Sequence, residues 1–171
     1  MNKFAISVLI VMGVLTGATR YSEAAYQFRW ASAAAGCTIE NYSGVVVMGS
    51  YGAVGLPVST GSLRIICPIS HDLGIANRLG ISFNVSSTQF CQVKAYIYRS
   101  ARAEGDSTYG AIATYDSWVT GAHSGKNDVI MTMAQHAFDQ LTYSYWVVAE
   151  LNQTYNCYGS SIDSVRILNW T

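Results

Sequence analysis

The chain has 171 residues, with 10 Lys+Arg against 10 Asp+Glu and a formal net charge of zero. Charged residues make up only 12%, about half of the ~25% usual in soluble domains, while apolar residues reach 50%. This composition, with only two prolines, excludes a disordered or Pro-rich chain. Even charge balance without a block of like charges removes the electrostatic basis for holding nucleic acid.

The first element in chain order is predicted to be an address. Met1–Lys3 carries one positive charge, Phe4–Ala18 is an uncharged, mostly apolar stretch of 15, and Ser22-Glu23-Ala24 sets small residues around a variable one. Basic start, short apolar middle and small-residue exit predict a secretory signal over residues 1–24, cleaved after Ala24. The stretch of 15 falls short of the ~20 residues that span a bilayer, so no membrane association is expected after cleavage. Loss of Lys3, Arg20 and Glu23 leaves 8 basic and 9 acidic groups, a formal charge of −1. The sequence Ala34-Ala35-Gly36-Cys37 resembles a lipidation site, but Thr19–Gly36 separates Cys37 from the apolar stretch, and acylation would leave an odd number of thiols.

Residues 25–171 have the length of one domain, and no linker or internal repeat divides them. Residues 25–36 read as an N-terminal arm or a first edge strand, followed by the main domain over 37–171. Cys37, Cys67, Cys91 and Cys157 all follow the signal, and an even set in an exported chain predicts two disulfides with three possible connectivities. Cys37–Cys67 with Cys91–Cys157 is the favoured pairing, since it pins the N-terminal segment to an early strand and a central strand to a late loop. No C-x-x-C supports a zinc or redox site.

Short runs rich in Val, Ile and Tyr, separated by Gly/Ser/Asn/Asp clusters, predict an all-β fold. Expected strands are Val45–Met48, Ser62–Cys67 ended by Pro68, Ile81–Val85, Cys91–Arg99, Ala111–Trp118, Asp128–Met133, Thr142–Leu151 and Ile162–Trp170. Their period-two alternation gives each strand one buried face, as in a two-sheet antiparallel β-sandwich, jelly-roll or immunoglobulin-like. A competing reading places a short helix over Ala134–Leu141, where Ala134, Phe138 and Leu141 follow helical spacing. The early Cys, the Gly-rich stretch Gly44–Gly55, the strand ending Ile66-Cys67-Pro68, the central Cys91 and the late Tyr143-Ser144-Tyr145 resemble a group of small exported bacterial disulfide-containing β-sandwich proteins. In that group the fourth Cys lies inside the late strand, whereas here it falls later, at Cys157. The resemblance implies export and a disulfide-tied sandwich, and it implies no activity, cofactor or site.

Catalytic chemistry finds little purchase. His71, His123 and His136 are the only imidazoles, and Gly121-Ala122-His123-Ser124-Gly125 holds the residues of a nucleophile elbow in the wrong order. No catalytic set is assigned, and the reading leans away from an enzyme; a small hydrolase using His123 or His136 is the alternative. No metal pattern occurs at His71-Asp72 or His136/Asp139, and the oxygen-rich loop carrying Glu104 and Asp106 is a weak calcium candidate. No cofactor is expected.

Aromatic content carries the functional expectation. Lys94, Tyr96 and Tyr98 alternate onto one strand face with Gln92, and Trp146 adds a large ring on a strand where Glu150 shares its face. Flat rings with polar rims stack on sugar rings or anchor protein interfaces. The sequence therefore predicts a secreted binding or structural protein, extracellular or periplasmic, with Lys94, Tyr96, Tyr98 and Trp146 as its candidate binding face and a glycan or protein surface as partner. A self-associating surface or filament subunit is the second version, in which Tyr26–Gly36 adds as a strand to a neighbour's sheet edge.

Overall fold

The computed structural model describes residues 26–42, 46–57, 60–69, 73–102, 109–155 and 157–170. The signal predicted over 1–24, the His71-Asp72 pair and the Glu104/Asp106 loop lie outside the described residues. Eleven strands are described, named in chain order: β1 (Tyr26–Ala33), β2 (Thr38–Tyr42), β3 (Val47–Met48), β4 (Val54–Leu56), β5 (Gly61–Ile69), β6 (Ile75–Val85), β7 (Cys91–Ala101), β8 (Tyr109–Asp116), β9 (Gly125–Ala137), β10 (Tyr143–Gln153) and β11 (Ser160–Trp170). A single helical turn, α1 (Ser117–Thr120), follows β8.

All pairings are antiparallel. One sheet runs β3-β4-β11-β6-β9 and the other β2-β5-β10-β7-β8. The partners nest: β7 lies beside β8, β6 beside β9, β5 beside β10 and β4 beside β11. This is one long hairpin rolled so that successive pairs fall in alternate sheets, which is the jelly-roll arrangement rather than the immunoglobulin one. Among the described helices, none is long and apolar enough to cross a membrane.

Alternation sets the inner faces. Leu63, Ile65 and Cys67 of β5, Val93, Ala95 and Ile97 of β7, and Val147, Ala149 and Leu151 of β10 are buried against Leu79, Ile81 and Phe83 of β6 and Ile162, Val165 and Ile167 of β11. Burying each Val, Leu, Ile or Phe side chain among them contributes roughly 1.5–3 kcal/mol. Both bridges join the expected partners, Cys37–Cys67 and Cys91–Cys157, and leave no free cysteine. Two disulfides suit an oxidising compartment.

Two expectations are corrected. Residues 134–137 continue β9 instead of entering a helix, with Ala76 paired to His136 and Ile75 to Ala137. Of the three helically spaced residues only Phe138 is buried; Leu141 is 92% exposed, so a helix would have had no apolar stripe to bury. Pro68 does not end β5, which runs on to Ile69. Pairing with β2 stops at Ile66, so Pro68 stands on a free edge, where a missing N–H is tolerated. The N-terminal arm is β1, and it pairs with β11 of its own chain from Tyr26↔Trp170 to Ala33↔Ser164. β4 covers the same edge of β11 only at Ser160–Ile162, leaving unpaired backbone groups that β1 satisfies in cis. Residues 26–33 thus take the edge-strand alternative within their own chain.

Candidate functional site

The outer face of the β2-β5-β10-β7-β8 sheet brings together all four residues singled out by alternation and aromatic content. Register places Lys94 opposite Glu150, Tyr96 opposite Val148 and Tyr98 opposite Trp146. The rings of Tyr96 and Tyr98 stand 5.5 Å apart with planes 28° from parallel, and those of Tyr98 and Trp146 stand 6.1 Å apart at 27°. All three are half-buried. Between them Val148 is fully buried although its parity points outward, because Tyr96, Ile66, Trp146 and Glu150 surround it and close over it.

One row along the strands lies a ladder of alternating charge. Arg64 Nη1 meets Glu40 at 2.7 Å, Arg64 Nε meets Glu150 at 3.4 Å, and Lys94 Nζ meets Asp116 at 3.8 Å. Gln92 Nε2 donates to both Asp116 oxygens at 3.0 Å. Cross-strand neighbours of opposite sign support one another in this way, and the row gives the face fixed donors and acceptors with little net charge. Burial, then the charge of Glu150, pushes the Tyr96 hydroxyl above its ordinary pKa, against a smaller opposing effect of Arg64. Tyr96 therefore stays protonated and offers an O–H donor at the border between rings and charges.

Arg64 and Glu40 are not singled out by the sequence. The alternation of Leu63, Arg64 and Ile65 signals an outward side chain, but no local pattern says that β5 lies against β10. Glu40 reaches Arg64 through a bulge between Ile39 and Asn41, which no residue in β2 announces. The opposite outer face is different in kind. Ser82 Oγ donates to Asp128 at 2.7 Å, and Arg166 pairs with Asp128 and lies across Gly80, where an added Cβ would come within 3.1 Å of its Nε. Burial alone would raise the Asp128 pKa; the Ser82 hydrogen bond and the Arg166 charge outweigh it and hold the carboxyl below its usual value.

Two of the three imidazoles, those of His123 and His136, lie among the described residues. His123 is exposed, and buried Asn127 holds its backbone by accepting from His123 N–H at 3.0 Å and donating to its carbonyl at 2.7 Å. His136 packs edge-on to Phe138 at 5.0 Å and to Tyr145 at 5.7 Å, with Nε2 3.4 Å from Tyr145 Oη. Among the described residues neither histidine meets a serine hydroxyl or a carboxylate, and no cluster of three His, Cys, Asp or Glu is placed to hold a metal ion. Burial, aided by the Arg99 charge, lowers the His136 pKa below its ordinary 6.5. The unfolded chain then binds the proton more readily, so stability is fully present above pH 6.5 and falls as the pH drops through 6.5 toward the depressed value. Denaturant melts between about pH 5 and 8 should show this slope, and His136→Phe should flatten it; an unchanged slope in the variant would assign the effect elsewhere.

No family model matches the chain, and no curated protein matches it. Several solved structures align with the chain remotely. A family two carbohydrate esterase from Cellvibrio japonicus aligns with a TM-score of 0.43 at 10% identity over 85% of this chain, which spans only 34% of that protein. A carbohydrate-binding module described for specific mannan recognition, TmCBM27, gives 0.42 at 12% identity, covering 86% of this chain and 100% of the module. The xylan-binding domain CBM22-1 of Paenibacillus barcinonensis Xyn10C gives 0.41 at 12%, covering 86% and 97%.

Proposed function

We propose that this protein is an exported carbohydrate-binding module that holds a neutral glycan chain on the outer face of its β2-β5-β10-β7-β8 sheet. One observation carries the reading: the half-buried rings of Tyr96, Tyr98 and Trp146, each stacked against the next at 27–28° along a sheet face and edged by an ordered ladder of polar groups. A sugar ring has an apolar C–H face and a hydroxyl rim. Aromatic side chains accept the first, and Lys94, Glu150, Gln92 and the Tyr96 hydroxyl meet the second. The near-cancellation of charge along the ladder disfavours a polyanion and suits an uncharged polymer.

Affinity electrophoresis through gels containing mannan, xylan or mixed-linkage glucan tests the reading. Retardation by at least one polymer is expected. Tyr98→Ala and Trp146→Ala should each weaken retention by about tenfold or more, as loss of an interface anchor does. Retention unchanged in both variants, or absent with every neutral polymer, would overturn the assignment.

A further inference from the structure

The end of the sandwich where β7 begins carries a feature that the sheet face does not explain. An open cleft of about 400 Å³ lies beside α1, lined by Thr88, Gln89, Ser117, Trp118, Gly121 and Ala122. That volume is at the small end for ligand sites. None of the six lining residues is charged.

We infer that this cleft is a second ligand site, shaped for one uncharged, hydroxyl-bearing ring such as the terminal unit of a saccharide. Trp118 is 52% exposed, yet it is anchored before any ligand arrives. Its backbone N–H donates to Asp116 Oδ1 at 2.9 Å, and its indole Nε1–H donates to the Cys91 carbonyl at 3.2 Å. Thr120 Oγ1 closes the turn on the Asp116 carbonyl at 2.7 Å. Asp116 is itself braced by Gln92 and Lys94, and Cys91 by its bridge to Cys157. An exposed indole ordinarily loses rotamer freedom when a ligand stacks on it; here that ordering is already in place. With its N–H committed to the protein, the ring offers only apolar π surface. Hydrogen bonding falls to Thr88, the Gln89 amide and Ser117, whose Oγ accepts from Val93 N–H at 2.9 Å and keeps its own proton to donate. Gly121, with φ +87°, meets nothing within 4 Å at its would-be Cβ, so this side of the cleft stays open. Indole surface plus neutral donors and acceptors matches a pyranose and mismatches an ion. The cleft's anchor Asp116, with Gln92 and Lys94 that brace it, also belongs to the polar row of the sheet face, but the two sites share no ring, so removing a ring from one leaves the rings of the other in place.

Titration of the full disulfide-bonded protein, followed by NMR, tests this. The probes are the methyl glycosides of glucose, galactose, mannose and xylose, with methyl glucuronide as the charged control. Concentrations reach about 50 mM, since a ligand of about a dozen heavy atoms attains only millimolar affinity. At least one neutral glycoside should shift the Trp118 indole N–H and Gln89 amide signals saturably, with methyl glucuronide weaker. Trp118→Ala and Gln89→Ala should each weaken that binding about tenfold, and Tyr98→Ala should leave it within about twofold. Failure of every neutral glycoside to move these signals, or equal loss in Tyr98→Ala, would overturn the second site. Polymer retention that persists in Trp118→Ala would then leave the sheet-face reading intact. Saturable shifts at Trp118 in a protein that no polymer retards would instead remove the face and keep the cleft.

Discussion

Replacing Cys91 and Cys157 together by alanine is expected to lower stability by about 2–4 kcal/mol, more than replacing Cys37 and Cys67. The Cys91–Cys157 bridge closes a loop of 66 residues and the other a loop of 30. In the chain-entropy account these are worth at most ~4.4 and ~3.7 kcal/mol of restricted unfolded chain. Position sharpens the difference. Cys91 opens β7 in one sheet, and Cys157 lies just ahead of β11 in the other, so the bridge ties the two layers where the rolled hairpin closes. Both cysteines are buried, with Ser160 Oγ 3.4 Å from one sulfur and 3.2 Å from the other. Cys37 is half-buried and fastens only the N-terminal segment to β5. Thermal melts of the two double variants decide the matter. A midpoint lower by roughly 5–15 °C is expected for the Cys91/Cys157 variant at 2–4 °C per kcal/mol. An equal or larger fall for Cys37/Cys67 would mean that loop length and layer crossing do not govern the contribution.

Phe83→Ala should cost about 3–5 kcal/mol, whereas Tyr98→Ala should cost less than about 1. Phe83 is fully buried on β6, which lies between β11 and β9, and its ring stands 6.0 Å from that of Tyr115 on β8 of the opposite sheet. Truncation removes an inter-layer contact and leaves a cavity that two hydrogen-bonded sheets cannot collapse to fill. Tyr98 points away from that interior, so its loss exposes the sheet without hollowing the core. Urea unfolding of the two variants gives the comparison directly. Tyr98→Ala as damaging as Phe83→Ala would make the ring row part of the protein's interior packing and end its candidacy as a binding face.

The contrast between these two positions is legible in the amino-acid sequence. Alternation in Cys91–Arg99 separates Val93, Ala95 and Ile97 from Gln92, Lys94, Tyr96 and Tyr98, and the fold keeps that division. The inward parity of Cys67 and Cys91 is legible in the same way. The helix considered over Ala134–Leu141 shows where local pattern misleads: three residues at helical spacing are a coincidence once β6 pairs with residues 136 and 137. Trp118 is expected inside a strand, yet Asp116 accepts its N–H and starts α1, which turns the indole onto the cleft.

The eight longer runs read as strands, their inner and outer faces, the four bridging cysteines and the residues Lys94, Tyr96, Tyr98 and Trp146 follow from period-two alternation and composition, which are properties of neighbouring residues; the short β2 and β4 carry too few residues to show that pattern. The nesting of β7 with β8 out to β4 with β11, the register that sets Trp146 beside Tyr98, and the line of Glu40, Arg64, Glu150, Lys94 and Asp116 belong to the tertiary structure. Alternation tells which side of a strand is apolar and is blind to which strand lies next to it. That choice is made by burial of two whole sheet faces at once, and it alone turns separate rings and charges into a site.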